Sequence, residues 1–148
     1  MARTILFVCT GNTCRSPMAA ALARAIIEAR PEGSETTRAV SAGVTASHGA
    51  PATHEAIDEM ARRGLDLSSH RSRPLTPDMI ARASLVLTMT HAHADAARRL
   101  APQHASKIHP LDPEGDIPDP IGMGPEVYRQ TADRLAALVE ARLRELDR

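Results

Sequence analysis

The chain has 148 residues, and its 18 Lys and Arg balance 18 Asp and Glu, so the formal net charge is zero. That balance excludes the strong electrostatic footprint by which a chain binds nucleic acid or an anionic membrane, and neither partner is expected. One α/β domain over residues 1–148 is expected, since a chain of about this size buries roughly 70% of its unfolded surface around one core, and with Phe7 and Tyr128 as its only aromatic rings besides histidine that core must be aliphatic.

The first apolar run, Ile5 to Val8, leads straight into Cys9. It is too short for a signal peptide or a membrane span, which points to a cytoplasmic protein. The pattern predicts a strand over residues 4–8, a Gly-containing turn, and a helix over 17–30 carrying Met18, Leu22, Ile26 and Ile27, with Ser16 as N-cap and Pro17 at the first helical position. Pro31, Gly33 and Ser34 end that helix, and 39–44 reads as a second strand. An amphipathic helix over 53–63 closes on Gly64, and a basic, Pro-containing loop covers 70–77. The continuous apolar run at 83–89 suits a parallel strand covered on both faces. A helix over 93–100 and a brief strand over 107–110 follow. Residues 112–125, with four prolines and three glycines, form a long loop of functional character, and 127–146 is the closing helix. Strands alternating with helices predict a parallel sheet flanked by helices, with ligands at the carboxyl ends of the strands.

Cys9 sits at such an end. Cys9, Thr10, Gly11, Asn12, Thr13, Cys14, Arg15 and Ser16 place a thiol and a guanidinium six residues apart between a strand and a helix N-terminus. A loop wrapped around an anion points backbone N–H groups inward, the helix dipole adds partial positive charge, and Arg15 supplies a bidentate fork. The same field favours the thiolate form of a cysteine. Cys9 is therefore read as a nucleophile toward phosphorus, with Arg15 and the loop on the equatorial oxygens and Ser16 donating to the sulfur as it leaves. A nucleotide-binding P-loop is excluded, because no second Gly followed by Lys and Ser or Thr is present. Two cysteines five positions apart give no disulfide framework, and with no His or second Cys pair at a familiar distance they give no zinc site. No metal and no cofactor is expected.

These residues resemble the signature of the low-molecular-weight protein-tyrosine-phosphatase family. Ser41-Ala42-Gly43 is similar to the segment whose Ser braces the loop Asn, here Asn12; His70 is similar to a buried bracing His; Leu87-Thr88-Met89 is similar to the third strand; and Asp119-Pro120 to the general-acid pair. The resemblance implies a four-stranded parallel sheet in a single domain, a cysteinyl-phosphate intermediate, and phosphorylated proteins as substrates. It also implies that Asp119 protonates the leaving group. By spacing alone Asp119 is equally a turn carboxylate before proline, and Asp112 and Asp116 are alternatives. His91 and His93 read as exposed residues at a helix start, and Arg71 and Arg73 either as a basic rim or as a solvated loop.

Tyrosine-directed members wall the pocket with aromatics after the second strand and after the Asp-Pro pair. Here those stretches are Val44-Thr45-Ala46-Ser47-His48 and Ile121-Gly122-Met123, with no ring to stack. Tyrosine-directed members carry Ile or Leu where this chain has Thr13, whereas the protein-arginine phosphatase branch carries Thr. The resemblance thus points to phosphoarginine, with Thr13 and Ile121 as specificity positions, phosphotyrosine as the alternative, and a phosphate-binding or redox-sensing module as the non-enzyme alternative. An arsenate reductase would need a further cysteine near mid-chain. Cys14 lies close enough in sequence to serve as a redox partner of Cys9.

Overall fold

In the computed structural model, which describes residues 2–30 and 36–147, the apolar run after Thr4 lies at the heart of the sheet. Strand β1 (Arg3–Cys9) is buried from Ile5 onward, as a strand covered on both faces must be. It pairs in parallel with β2 (Thr37–Gly43) on one side and β3 (Leu85–Thr88) on the other, and β4 (Ile108–Pro110) extends the sheet beyond β3. The order is β2-β1-β3-β4, four parallel strands.

Alternation along β1 divides the core in two. Ile5, Phe7 and Cys9 face a layer built by α1 (Arg15–Glu28), α2 (His54–Arg62) and α5 (Pro125–Leu146), including Met18, Met60, Leu135 and Val139. Leu6 and Val8 face Ile80 from α3 (Pro77–Arg82) and Ala94 and Ala97 from α4 (His91–Leu100). A 3₁₀ helix, Pro102–Lys107, joins α4 to β4. The first half of α1 is buried all round, from Arg15 to Ala23. Its run of alanines at 19–21 and 23 lets sheet and α5 approach closely.

Several expectations need correction. Helix α1 begins at Arg15 rather than after a Ser16 cap, and Cys14, the residue before it, makes no side-chain cap. The Ser16 hydroxyl is engaged elsewhere, as described below. Its expected end at 30 falls at Glu28, and the Pro31, Gly33 and Ser34 expected to stop it lie outside the described residues. Helix α3 stands just after the expected loop: Thr76 accepts from the Met79 N–H and Pro77 takes the first turn. Its end at Ala83 shortens the predicted strand 83–89 to Leu85–Thr88. Among the described residues no helix is long and apolar enough to cross a membrane.

Candidate active site

The loop after β1 is held by its carbonyls. The Cys9 carbonyl accepts from Val44 N–H (2.9 Å), Thr10 from Thr45 N–H (3.0 Å), Thr13 from Thr53 N–H (3.0 Å) and Cys14 from Met18 N–H (3.2 Å). The Asn12 carbonyl accepts from His70 Nε2 at 2.7 Å. All these peptides are trans, so each N–H is opposed to its own C=O. With these carbonyls bonded into the frame, the N–H groups of residues 10, 11, 13, 14 and 15 point the opposite way, away from the partners of those carbonyls. That is a cradle of donors at the start of a helix without a side-chain cap, the arrangement that suits an oxyanion.

Asn12 keeps the loop in this shape. Its backbone is left-handed, with φ of 59°, and it is fully buried. The amide is satisfied on every side: Nδ2 donates to Ser16 Oγ (2.8 Å) and Ser41 Oγ (2.9 Å), and Oδ1 accepts from Arg73 N–H (3.0 Å). Ser41 and His70 thus stand where a brace is needed. Arg73 joins them, its Nε donating to the Ser41 carbonyl at 3.0 Å, whereas Arg71 bonds the carbonyls of its own exposed loop. Burial pushes the His70 imidazole below its ordinary range, so Nε2–H donates from the neutral ring. Ser16 Oγ lies 2.9 Å from Cys9 Sγ, which places a hydroxyl directly on the sulfur.

Two residues that sequence reasoning did not single out complete the frame. A Cβ on Gly43 would stand 2.5 Å from the Thr10 carbonyl oxygen and 2.9 Å from Asn12 N, so only glycine lets the loop lie against β2. Tyr128 OH, from the first turn of α5, sits 3.2 Å from Cys14 Sγ and 3.1 Å from Thr53 Oγ1. Its being the one tyrosine in the chain, at the start of the last helix, was the available signal.

Arg15 is buried beneath the acid loop. Nη1 donates to the Ile117 carbonyl (2.8 Å), Nη2 to Thr10 Oγ1 (3.4 Å), and Nε is buried without a partner among the described residues. Asp119 Oδ2 approaches Nη2 at 3.8 Å, while its Oδ1 accepts from Ile121 N–H. The two other loop carboxylates are committed elsewhere. Asp112 accepts from Arg134 and Asp116 from both His91 N–H and His91 Nδ1, and these hydrogen bonds hold both below the usual carboxylate range. His91 is exposed as expected. His93 is not: it is 6% exposed, with Nε2 2.8 Å from Thr10 Oγ1. The correction has a simple cause, since position 91 opens α4 on its solvent side and position 93 turns inward over the loop. Thr13 is half-buried at the rim, Ile121 and Met123 are 57% and 62% exposed beside Asp119, and both cysteines are free.

A family model described as low molecular weight phosphotyrosine protein phosphatase matches residues 4–148. A protein-arginine-phosphatase of Bacillus subtilis is 39% identical over 147 residues, 96% of this chain and 95% of its own length. A probable low molecular weight protein-tyrosine-phosphatase, EpsP of Ralstonia nicotianae, is 34% identical over 95% of this chain and 94% of its own. Among solved structures, a YwlE arginine phosphatase mutant with a phosphorylated active-site serine superposes with a TM-score of 0.91 at 37% identity, covering 98% of this chain and 96% of that one.

Proposed function

The chain belongs to the low molecular weight phosphotyrosine protein phosphatase family, and from that membership we propose that it hydrolyses phosphoarginine in proteins through a cysteinyl-phosphate intermediate. The observation that carries the phosphoryl chemistry is the loop itself: carbonyls bonded into the frame so that the opposed amides are turned away from it, and the buried Arg15 Nε without a partner among the described residues. Cys9 Sγ attacks phosphorus, the N–P bond breaks, and the departing guanidine takes a proton from Asp119. Asp119, now a carboxylate, draws a proton from water as that water attacks the cysteinyl phosphate. Ser16 donates to the leaving sulfur from 2.9 Å. The loop amides and Arg15 hold the equatorial oxygens throughout.

Arginine specificity is supported by the half-buried Thr13 in the loop, by the lack of any ring in the stretch 44–47 after β2, and by the similarity to the protein-arginine-phosphatase of Bacillus subtilis. Phosphotyrosine is the second reading, favoured by the apolar surface that Ile121 and Met123 expose beside Asp119. The test is a comparison of kcat/KM on phosphoarginine and phosphotyrosine peptides for wild type and Thr13→Ile. Leaving one hydrogen-bonding partner unmet lowers specificity by about tenfold to a hundredfold, so the phosphoarginine rate should fall by that factor while the phosphotyrosine rate rises. A wild type that prefers phosphotyrosine overturns the arginine reading.

A further inference from the structure

His93 enters the site from α4, an element the phosphoryl chemistry described above does not use. It is buried, its backbone N–H donates to Thr90 Oγ1 (3.1 Å), and its ring meets Thr10 Oγ1 at 2.8 Å. The same Thr10 oxygen accepts from Arg15 Nη2 at 3.4 Å, so His93 and the guanidinium converge on one hydroxyl at the exposed mouth of the loop. The other ring nitrogen, Nδ1, is buried without a partner among the described residues. A buried orphan N–H is rarer than an under-satisfied acceptor, which assigns the proton to Nε2 and makes His93 the donor to Thr10. With both lone pairs of Oγ1 taken by Nε2–H and Nη2–H, the Thr10 hydroxyl hydrogen has to point away from both.

We propose that His93 is a positioning residue acting through Thr10, fixing the Thr10 hydroxyl as a donor toward the bound phosphoryl group and keeping the Arg15 fork in register with the loop. The proposal rests on the phosphatase reading of this loop. The imidazole is suited to the task because it stays neutral: burial first, then the charge of Arg15 on α1, push it down to about 4, while Asp116 and Asp119 of the acid loop act in the opposite direction. A protonated ring there would place a second cation beside Arg15. A neutral one delivers a single directed N–H.

The role is tested by a double-mutant cycle on kcat/KM for p-nitrophenyl phosphate, and on calorimetric affinity for inorganic phosphate in the Cys9→Ser background. His93→Phe keeps the bulk and removes the donor, and should lower both quantities by about tenfold. His93→Gln, whose amide can donate to the same oxygen, should recover to within about threefold of wild type. In a Thr10→Val background His93→Phe should cost less than about twofold more, since the hydroxyl it acts through is gone. Equal losses from His93→Phe with and without Thr10 overturn the proposal, as does a His93→Gln variant as impaired as His93→Phe while its melting temperature is that of wild type. If wild type hydrolyses no phosphate ester or phosphoarginine, the phosphatase reading fails, and the phosphate-affinity cycle still decides the role of His93.

Discussion

The chemistry of the site is set by which partners each carboxylate and thiol already has. Asp112 and Asp116 are held as carboxylates by Arg134 and His91, whereas Asp119 faces Arg15 across 3.8 Å with one oxygen turned into the site. Asp119→Asn should therefore slow hydrolysis of an alkyl phosphate by two decades or more and that of p-nitrophenyl phosphate far less, because a proton matters most to a poor leaving group. Equal losses on both substrates would move the acid to Asp116. Cys14 is the second residue with a decided environment. Burial pushes its thiol up, against the opposing hydrogen bonds of Tyr128 and Thr53, and so favours the protonated thiol. Peroxide is expected to oxidise the Cys9 sulfur to a sulfenic acid, and attack by the Cys14 sulfur is then expected to expel water and leave a disulfide that dithiothreitol reduces. Recovery after peroxide should be nearly complete in wild type and lost in Cys14→Ser. Equal recovery in both would leave Cys14 a packing residue.

At the scale of elements, α1 and β2 act as the two jaws that hold the loop. Helix α1 supplies its uncapped N-terminus, and β2 supplies Ser41 and Gly43 at its carboxyl end. Gly43→Ala would drive a methyl group to 2.5 Å from a backbone oxygen that already accepts from Thr45 N–H, so the loop rather than a flexible side chain has to move. That movement carries Asn12 with it. The expected outcome is a protein that keeps its sheet by circular dichroism and loses phosphate affinity and turnover by at least a hundredfold, in line with the sensitivity of such sites to displacements of about 1 Å. Wild-type affinity for phosphate in Gly43→Ala would show that the loop is not pressed against β2 in solution. The three threonines that cap α2, α3 and α4, Thr53, Thr76 and Thr90, were each legible as caps in retrospect. The six residues of α3 carry too little periodicity to announce a helix beside a Pro-containing loop.

Across the whole molecule, burial of two histidines ties stability to pH. His93 is lowered from 6.5 to about 4 and His70 is lowered in the same direction, so between those values the unfolded chain holds protons that the folded one refuses. These two histidines thus cost no stability above about pH 6.5, and their burial lowers stability progressively as the pH drops toward 4. Urea unfolding at pH 7.5, 6 and 5 should give a descending series for wild type and a flatter one for His93→Gln; identical slopes would mean that His93 is not buried in the folded protein in solution. The same burial marks the boundary between what sequence and tertiary structure each determine. The strand ending in Cys9, the helix carrying Arg15, the aliphatic core and the Pro-rich acid loop follow from local pattern and turn chemistry, and the loop motif by itself pointed to phosphate. The sequence offers Ser16 both as the cap of α1 and as a donor to the Cys9 sulfur without choosing between them, and it could not say that Arg73 and Gly43 complete the brace or that Tyr128 reaches Cys14 across 114 positions. Nor could it separate His91 from His93, two residues apart and alike in type. Those outcomes depend on which face of α4 and which end of α5 the sheet order brings over the loop, and packing across distant segments decides that, because local periodicity carries no information about what lies opposite.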